Sequence, residues 1–118
     1  MDLDEAICAH IEWKMKFRLA ISSEAQLDAD KIGQDTQCPL GQWLHGEAQR
    51  KYGRLSSYEN CLKAHASFHR EAEKVARLIN AKDYRGAQAA LAMNTPLSEE
   101  SNAMTTAIGR LKEEAAAG

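Results

Sequence analysis

The stretch LSSYENCLKAHASFHREAEKVARLI, residues 55–79, has the apolar repeat of a long amphipathic helix. Apolar residues and two histidines recur at alternating intervals of four and three, which places them on one helical face. These positions are Tyr58, Leu62, His65, His69, Ala72, Ala76 and Ile79. Ser56 and Glu59 have the spacing of a capping box, so we expect the helix to begin there. The stretch therefore predicts a long helix whose inward face carries two imidazoles.

The rest of the chain is also helical in composition. It has only two prolines, and it is rich in alanine, leucine, glutamate, lysine and glutamine, which are good helix formers. The other predicted elements are a first helix from about Asp4 to about Ala29, a loop over residues 28–37, a short helix from Pro39 to Gly46, a helix from about Asp83 to about Ala92, and a last helix after Pro96. We expect residues 1–118 to form a single all-α domain, an antiparallel four-helix bundle with an additional short helix.

Charge and hydropathy argue against several classes of partner. The formal net charge is -2 and no basic block of five residues occurs, which disfavours nucleic acid and anionic membrane surfaces. No apolar run approaches the roughly 18 residues that a membrane span needs. The first ten residues, MDLDEAICAH, are acidic and lack the basic-then-apolar order of a signal peptide. We therefore predict a cytoplasmic location.

Three of the four histidines fall on helical faces that are predicted to be inward. His10 lies on the first helix, and His65 and His69 lie four residues apart on the third. Residues with this spacing are about 6 Å apart along the helix axis and share a face, so their imidazoles can converge on one ion. A single buried histidine is more often bonded to a backbone carbonyl. Three of them, with a thiol available, favour a shared metal ion, because each imidazole would otherwise need a partner of its own.

Cys38 is the best fourth ligand among the three cysteines. It directly precedes Pro39, so it lies near the start of the short helix, where the helix dipole favours thiolate over thiol. Three imidazoles and one thiolate form a tetrahedral set of the kind that zinc prefers, whereas magnesium and calcium prefer oxygen ligands. Cys61 is a weaker candidate, because Cys61, His65 and His69 together span about 12 Å of helix.

The remaining residues of interest have simpler interpretations. We expect Cys8 to be a small buried hydrophobe and His45 to cap the short helix or to face water. Trp13 and Trp43 are interpreted as core anchors, and Gly41 as the place where the short helix approaches a neighbour closely. An odd number of cysteines without an export signal argues against a disulfide framework.

Three short elements in order along the chain resemble one known family. HIEWK (residues 10–14), CPLGQWL (38–44) and HASFHREA (65–72) contain the His-x-x-Trp, Cys-x-x-Gly-x-Trp and His-x-x-Phe-His elements of the chemoreceptor zinc-binding (CZB) domain family. The resemblance implies a four-helix bundle that binds Zn²⁺ through His10, Cys38, His65 and His69. It also implies a regulatory role in bacterial chemotaxis and signal transduction, attached to a chemoreceptor or a diguanylate cyclase output module. In that family homodimers are common, and zinc, or oxidation of the zinc-bound cysteine by hypochlorous acid, changes the output.

The expected function is thus a zinc-binding sensory or regulatory domain and not an enzyme. The alternative is a zinc-stabilised structural bundle that mediates protein interactions without sensing. A di-iron site of the hemerythrin sort is disfavoured because no Glu-x-x-His element occurs at the three inward histidines. The chain has neither a chemoreceptor coiled coil nor a cyclase motif, so it is expected to be either a free-standing member or a fragment of a longer protein.

Overall fold

Eight helices form the secondary structure of residues 1–117, the part of the chain that this computed structural model describes. They are α1 (Leu3–Ile11), α2 (Trp13–Ser23), α3 (Ala29–Gly33), α4 (Pro39–Leu44), α5 (Glu47–Tyr52), α6 (Ser56–Asn80), α7 (Tyr84–Ala90) and α8 (Pro96–Ala117). No strand occurs within these residues. The prediction of an all-α bundle is confirmed.

The long helix α6 is the centre of the bundle. It packs against α8 along much of its length, and α2, α3, α5 and α7 also contact it. The predicted capping box is wrong, because Leu55 is the N-cap and no side chain bonds the first turn. Ser56 already lies inside that turn, one residue beyond the position where its hydroxyl could cap it. The neighbouring Ser57 donates instead to Glu114 on α8, with 2.7 Å between the oxygens, and so ties the two helices together.

The predicted first helix is two helices. Asp2 caps α1 by accepting from the N–H groups of the first turn. At the junction, Glu12 keeps helical backbone angles, its N–H bonds to the carbonyl of Cys8, and the N–H of Lys16 bonds to the carbonyl of Glu12. Helical hydrogen bonding therefore continues from α1 into α2. The helix ends at Ser23, six residues before the predicted end, because Glu24 adopts left-handed angles (φ 54°, ψ 38°) that a helix cannot continue.

The short helices differ most from the sequence expectations. The predicted loop at residues 28–37 contains α3, which is capped by Asp28 and packs on α6. The helix α5 was not predicted, and α7 is shorter than expected because Asp83 caps it from outside. The predicted short helix begins at Pro39 as expected and ends at Leu44, before Gly46.

The core lies between α6 and the helices around it. The largest fully buried apolar side chains are Phe17, Leu40, Leu44, Phe68, Val75, Ile79, Met104, Ile108 and Leu111. Trp13 and Trp43 pack against this core but remain partly exposed, so they anchor its edge and not its centre. No helix within the described residues is long and apolar enough to cross a membrane.

Candidate metal centre

Four potential metal ligands meet at one point in the bundle. The structure places one donor atom each of His10, Cys38, His65 and His69 within 4.8 Å of one another. His10 comes from the last turn of α1, Cys38 is the N-cap of α4, and the other two histidines are one turn apart on α6. The residues that the sequence singled out are therefore brought together from three separate elements.

The distances between the donor atoms fit a tetrahedral metal ion. The sulfur of Cys38 lies 3.2 Å from Nε2 of His65 and 3.7 Å from Nε2 of both His10 and His69. The two Nε2 atoms on α6 are 3.1 Å apart. Zinc bonds of ordinary length and tetrahedral angles imply edges of about 3.3 Å between nitrogens and about 3.5 Å between nitrogen and sulfur. These four distances lie within a few tenths of an ångström of those edges, and the four donors as a set lie within 4.8 Å of one another.

Two backbone carbonyls orient two of the imidazoles. Nδ1 of His10 lies 2.7 Å from the carbonyl oxygen of Ala6, one turn earlier in α1. Nδ1 of His69 lies 2.7 Å from the carbonyl oxygen of Ile32 in α3. A carbonyl only accepts, so in both rings Nδ1 carries the proton and the lone pair of Nε2 points into the cluster. Because the acceptors are backbone atoms, they cannot be identified from the residue types in the sequence.

His65 is held by packing and not by a hydrogen bond. It is completely buried, and its Nδ1 has no hydrogen-bond partner. Its ring makes edge-on contacts with His10 and His69, with centroids 5.1 and 4.5 Å apart. Burial, together with the neighbouring imidazoles, lowers the pKa of His65 to about 2. At neutral pH this ring is therefore uncharged and has a lone pair to offer.

The other two imidazoles are also held in the neutral form. Burial lowers the pKa of His10, although the bond to Ala6 opposes the shift. Burial likewise lowers the pKa of His69, while the bond to Ile32 acts in the opposite direction. Neutral imidazoles are the form that binds metal. The three imidazoles can therefore bind a cation without first releasing protons.

The pKa of the Cys38 thiol is higher than its position at a helix start suggests. The expected N-cap contact exists, because the N–H of Gly41 donates to the sulfur at 3.3 Å. Burial outweighs this contact and raises the pKa of Cys38, and the nearby carboxylate of Asp35 adds to the rise. The helix start alone does not produce a thiolate here. A cation in the cluster would supply the missing stabilisation.

Gly41 is required for the close contact that positions α4. A Cβ atom at this position would lie 2.7 Å from the carbonyl carbon of Asp35, closer still to its oxygen, and 3.2 Å from Cε1 of His65. At the other end of the helix, the hydroxyl of Tyr58 donates to the carbonyl of Leu44 at 2.7 Å. The expected close approach at Gly41 is confirmed, and it brings the Cys38 turn against α6.

The remaining cysteines and the fourth histidine lie outside the cluster. Cys61 is buried and its pKa is raised to about 11 by burial, so it is an unreactive core thiol. Cys8 is exposed, so the expectation of a buried hydrophobe is wrong; it lies on the face of α1 that points away from His10. His45 is the C-cap of α4, and its ring lies 3.5 Å from the carboxylate of Asp35.

Cys38 is the most exposed of the four candidate ligands. The histidines are at most 4% exposed, whereas Cys38 is of intermediate exposure. Two clefts of about 310 and 280 Å³ are both lined by Cys38 and Trp13, and His10 also lines the first and His69 the second. A small reagent in either cleft would meet the thiol.

Comparison with known proteins agrees with this geometry. A family model described as "Chemoreceptor zinc-binding domain" matches residues 10–76, more than half of the chain. The match begins at His10 and includes all four candidate ligands. Comparisons with curated proteins and with solved structures gave no match.

Proposed function

Because the chain belongs to the chemoreceptor zinc-binding domain family, we propose that it is a zinc-dependent regulatory domain of bacterial signalling. The observation that carries this proposal is the convergence of His10, Cys38, His65 and His69 within 4.8 Å. Bound zinc would supply a cross-link between α1, α4 and α6. Four protein donors complete a tetrahedral shell and leave no position for a catalytic water, which supports a regulatory role over an enzymatic one.

The short helix α4 is the element that we propose to respond. Its first turn is held by Cys38 in the cluster and by the bond from Gly41 to the sulfur. Its last turn is held by Tyr58. Six residues cannot form a stable helix without such contacts. Loss of the thiolate from the cluster would therefore loosen the start of α4 while its end stays attached to α6.

Oxidation of Cys38 is the trigger that we propose within this function. The thiolate sulfur gives two electrons to hypochlorous acid, takes up its oxygen, and becomes a sulfenic acid while chlorine leaves as chloride. A sulfenic acid is a poor metal ligand because it no longer carries the thiolate charge. The exposure of Cys38 and the clefts beside it support this order of events, since the imidazoles behind it are buried.

A purely structural role is the second candidate. It is favoured by the burial of the three histidines, because a buried site suits zinc that binds during folding and then stays bound. Structural zinc supplies much of the folding free energy in small domains. The two functions differ in whether zinc leaves under conditions that occur in cells.

We also propose partners and a location for this function. The family relation supports coupling to a chemoreceptor or a diguanylate cyclase module, association into a homodimer, and a cytoplasmic setting. These proposals can be tested separately from zinc binding.

Metal content tests the proposal directly. We expect native mass spectrometry to find one zinc ion per chain in the wild type, and Cys38→Ala to lose most of it. The matched control is Cys61→Ala, which removes a buried thiol outside the cluster and should keep the metal. A wild type that takes up no zinc, or a Cys38→Ala variant with wild-type affinity, would overturn the proposal.

An oxidant titration separates sensing from structure. One equivalent of hypochlorous acid should release zinc, and the release should persist in a variant that carries both Cys8→Ala and Cys61→Ala. Retention of zinc in the wild type after modification of Cys38 would favour the structural role. Release that depends on Cys8 or Cys61 would reject Cys38 as the trigger.

A further inference from the structure

Trp13 lies beside Cys38 in both of the clefts that reach the thiol. The clefts of about 310 and 280 Å³ have these two lining residues in common. The indole is of intermediate exposure, and the proposed zinc chemistry leaves it without a role. A reagent that approaches the sulfur through either cleft therefore has the indole as one of its walls.

Contacts with two different kinds of side chain hold the indole in place. Its ring centroid lies 5.4 Å from that of Phe17, which is completely buried, and the two ring planes are tilted by 33°. The ammonium of Lys16, an exposed residue that also lines the first cleft, lies 4.7 Å from the ring centroid of Trp13. Each of these contacts stabilises one position of the ring. The indole is therefore a fixed wall of the two clefts.

Both clefts are small. Pockets that take drug-sized ligands have volumes of about 300–1,000 Å³, and the two clefts lie at the lower end of that range. A water molecule takes up about 30 Å³, so each cleft has room for an oxidant of a few heavy atoms such as hypochlorous acid. A disulfide must bring two sulfurs and both of their substituents to the thiolate. A bulky disulfide therefore reaches Cys38 only when the indole moves.

Charge does not sort reagents at these clefts. The first cleft is lined by the carboxylates of Asp2 and Glu5 and by the ammonium of Lys16. The second is lined by Asp28 and Lys31. Both signs are present at each cleft, and neither cleft has the lining of a single sign that concentrates ions of the opposite charge. Size is the property by which the walls distinguish one reagent from another.

We propose that Trp13 is a size filter for the thiol, which admits small inorganic oxidants to Cys38 and excludes bulky disulfides. The inference rests on the proposed oxidation of Cys38 and names the class of oxidant that reaches it. Hypochlorous acid gives its oxygen to the thiolate sulfur and chloride leaves. A disulfide is instead attacked by the thiolate, so that a mixed disulfide forms and one thiolate leaves. The filter leaves the first route open and closes the second, so the domain responds to the oxidant and not to oxidised low-molecular-weight thiols.

Thiol modification of the metal-free chain tests the filter. The single-thiol chain, Cys8→Ala/Cys61→Ala, keeps Cys38 as its one cysteine. The probes are iodoacetamide, which is small, and dithiobis(nitrobenzoate), a bulky aromatic disulfide. We expect Trp13→Ala in this chain to raise the rate with the aromatic disulfide roughly tenfold or more, because the reagent no longer displaces a ring held by Phe17 and Lys16. The rate with iodoacetamide should stay nearly the same, so the ratio of the two rates is the quantity measured.

Two further variants separate a filter from a loss of structure. Trp13→Phe keeps an aromatic wall and should keep the rate ratio close to that of the single-thiol chain. Trp43→Ala removes the other tryptophan, which contacts Tyr52 and lines neither cleft, and should leave the ratio unchanged. A chain that is merely loosened exposes Cys38 to both probes, so both rates rise together and the ratio does not change.

The zinc-loaded chain tests the consequence for oxidant selectivity. One equivalent of hypochlorous acid should release zinc equally from the single-thiol chain and from its Trp13→Ala variant. Glutathione disulfide, a bulky disulfide, should release zinc from the Trp13→Ala variant and leave the single-thiol chain loaded. Equal release by glutathione disulfide from both chains would contradict the filter.

Two results with the metal-free chain would also overturn the inference. One is an unchanged rate ratio in Trp13→Ala, and the other is a single-thiol chain whose rate ratio equals that of free cysteine. Failure of the proposed function has a different signature. A chain that takes up no zinc, or that keeps zinc after oxidation, still shows in its metal-free form whether Trp13 controls the access of the two probes.

Discussion

Replacement of Gly41 by alanine should damage both the stability of the bundle and its metal site. The new Cβ would lie 2.7 Å from the carbonyl carbon of Asp35 and 3.2 Å from Cε1 of His65. Non-bonded carbons prefer separations of about 3.5–4.0 Å. Either α4 or the Asp35 turn must therefore move by about 1 Å. Since Cys38 belongs to the same helical turn, its sulfur moves as well.

The size of the effect follows from the displacement. Overpacking of this kind costs about 1–3 kcal/mol of folding free energy. A metal site tolerates bond-length errors of only about 0.2 Å, so the shift of the sulfur also weakens binding. If metal binding has to restore the strained position of the sulfur, the same free energy is lost from binding. Zinc affinity should then fall by roughly 5- to 150-fold, at about 1.4 kcal/mol per factor of ten.

Two measurements and one control test this prediction. Urea unfolding of the metal-free chain gives the free energy of unfolding, and competition with a chelator gives the zinc affinity. The matched control is Gly109→Ala on α8, where a Cβ would meet nothing within 4 Å. That variant should gain about 0.5–1 kcal/mol, because alanine costs less conformational entropy in a helix than glycine does, and its zinc affinity should not change. A Gly41→Ala variant as stable and as tight-binding as the wild type would show that the close approach to Asp35 is not required.

Three further predictions concern groups around the site. The folded-state pKa of His65, about 2, lies below its ordinary value of 6.5. Below pH 6.5 the unfolded chain therefore takes up a proton at His65 that the folded chain does not, and the free energy of unfolding falls. Urea unfolding of the metal-free chain at pH 7.5 and 5.5 should therefore show a loss of about 1.4 kcal/mol from this residue alone, and equal stability would contradict its burial in the neutral form. Tyr58→Phe leaves the carbonyl of Leu44 without its donor and should cost about 1 kcal/mol in the same assay, whereas a neutral effect would mean that water replaces the hydroxyl. His45→Ala removes an exposed contact with Asp35 and should cost less than about 1 kcal/mol without changing zinc stoichiometry; loss of the metal would place His45 in the site after all.

Local patterns accounted for the helices that carry the ligands. The alternation of three and four in α6 depends only on helical geometry, so it predicted the helix and the shared face of His65 and His69 correctly. Pro39 marked the start of α4 for an equally local reason, since proline fixes the backbone angle of a first turn. The set of candidate ligands rests on the same kind of information, because residue type and helical face are both readable along the chain.

The errors occurred where neighbouring elements decide the outcome. The apolar repeat did not reveal that Glu24 ends α2, because a single left-handed residue leaves no periodic pattern. It did not reveal α3 either, because five residues are too few to show a helical repeat. Cys8 was expected to be buried, but nothing in its own segment tells whether another helix or solvent covers that face. The pKa of Cys38 was expected to fall because the helix start is a local feature, whereas burial, which raises it, is a property of the assembled bundle.

The sequence by itself determined that this chain is helical and that three histidines and one cysteine suit a single metal ion, because periodicity and donor chemistry are properties of residues taken in order. Only the tertiary structure decided that the four donors meet within 4.8 Å. It also decided that the carbonyls of Ala6 and Ile32 orient two of the rings, and that Ile11, Met15 and Leu19 stay exposed. Distances between residues far apart in the chain, the direction of a lone pair, and the burial that sets a pKa depend on how the helices pack.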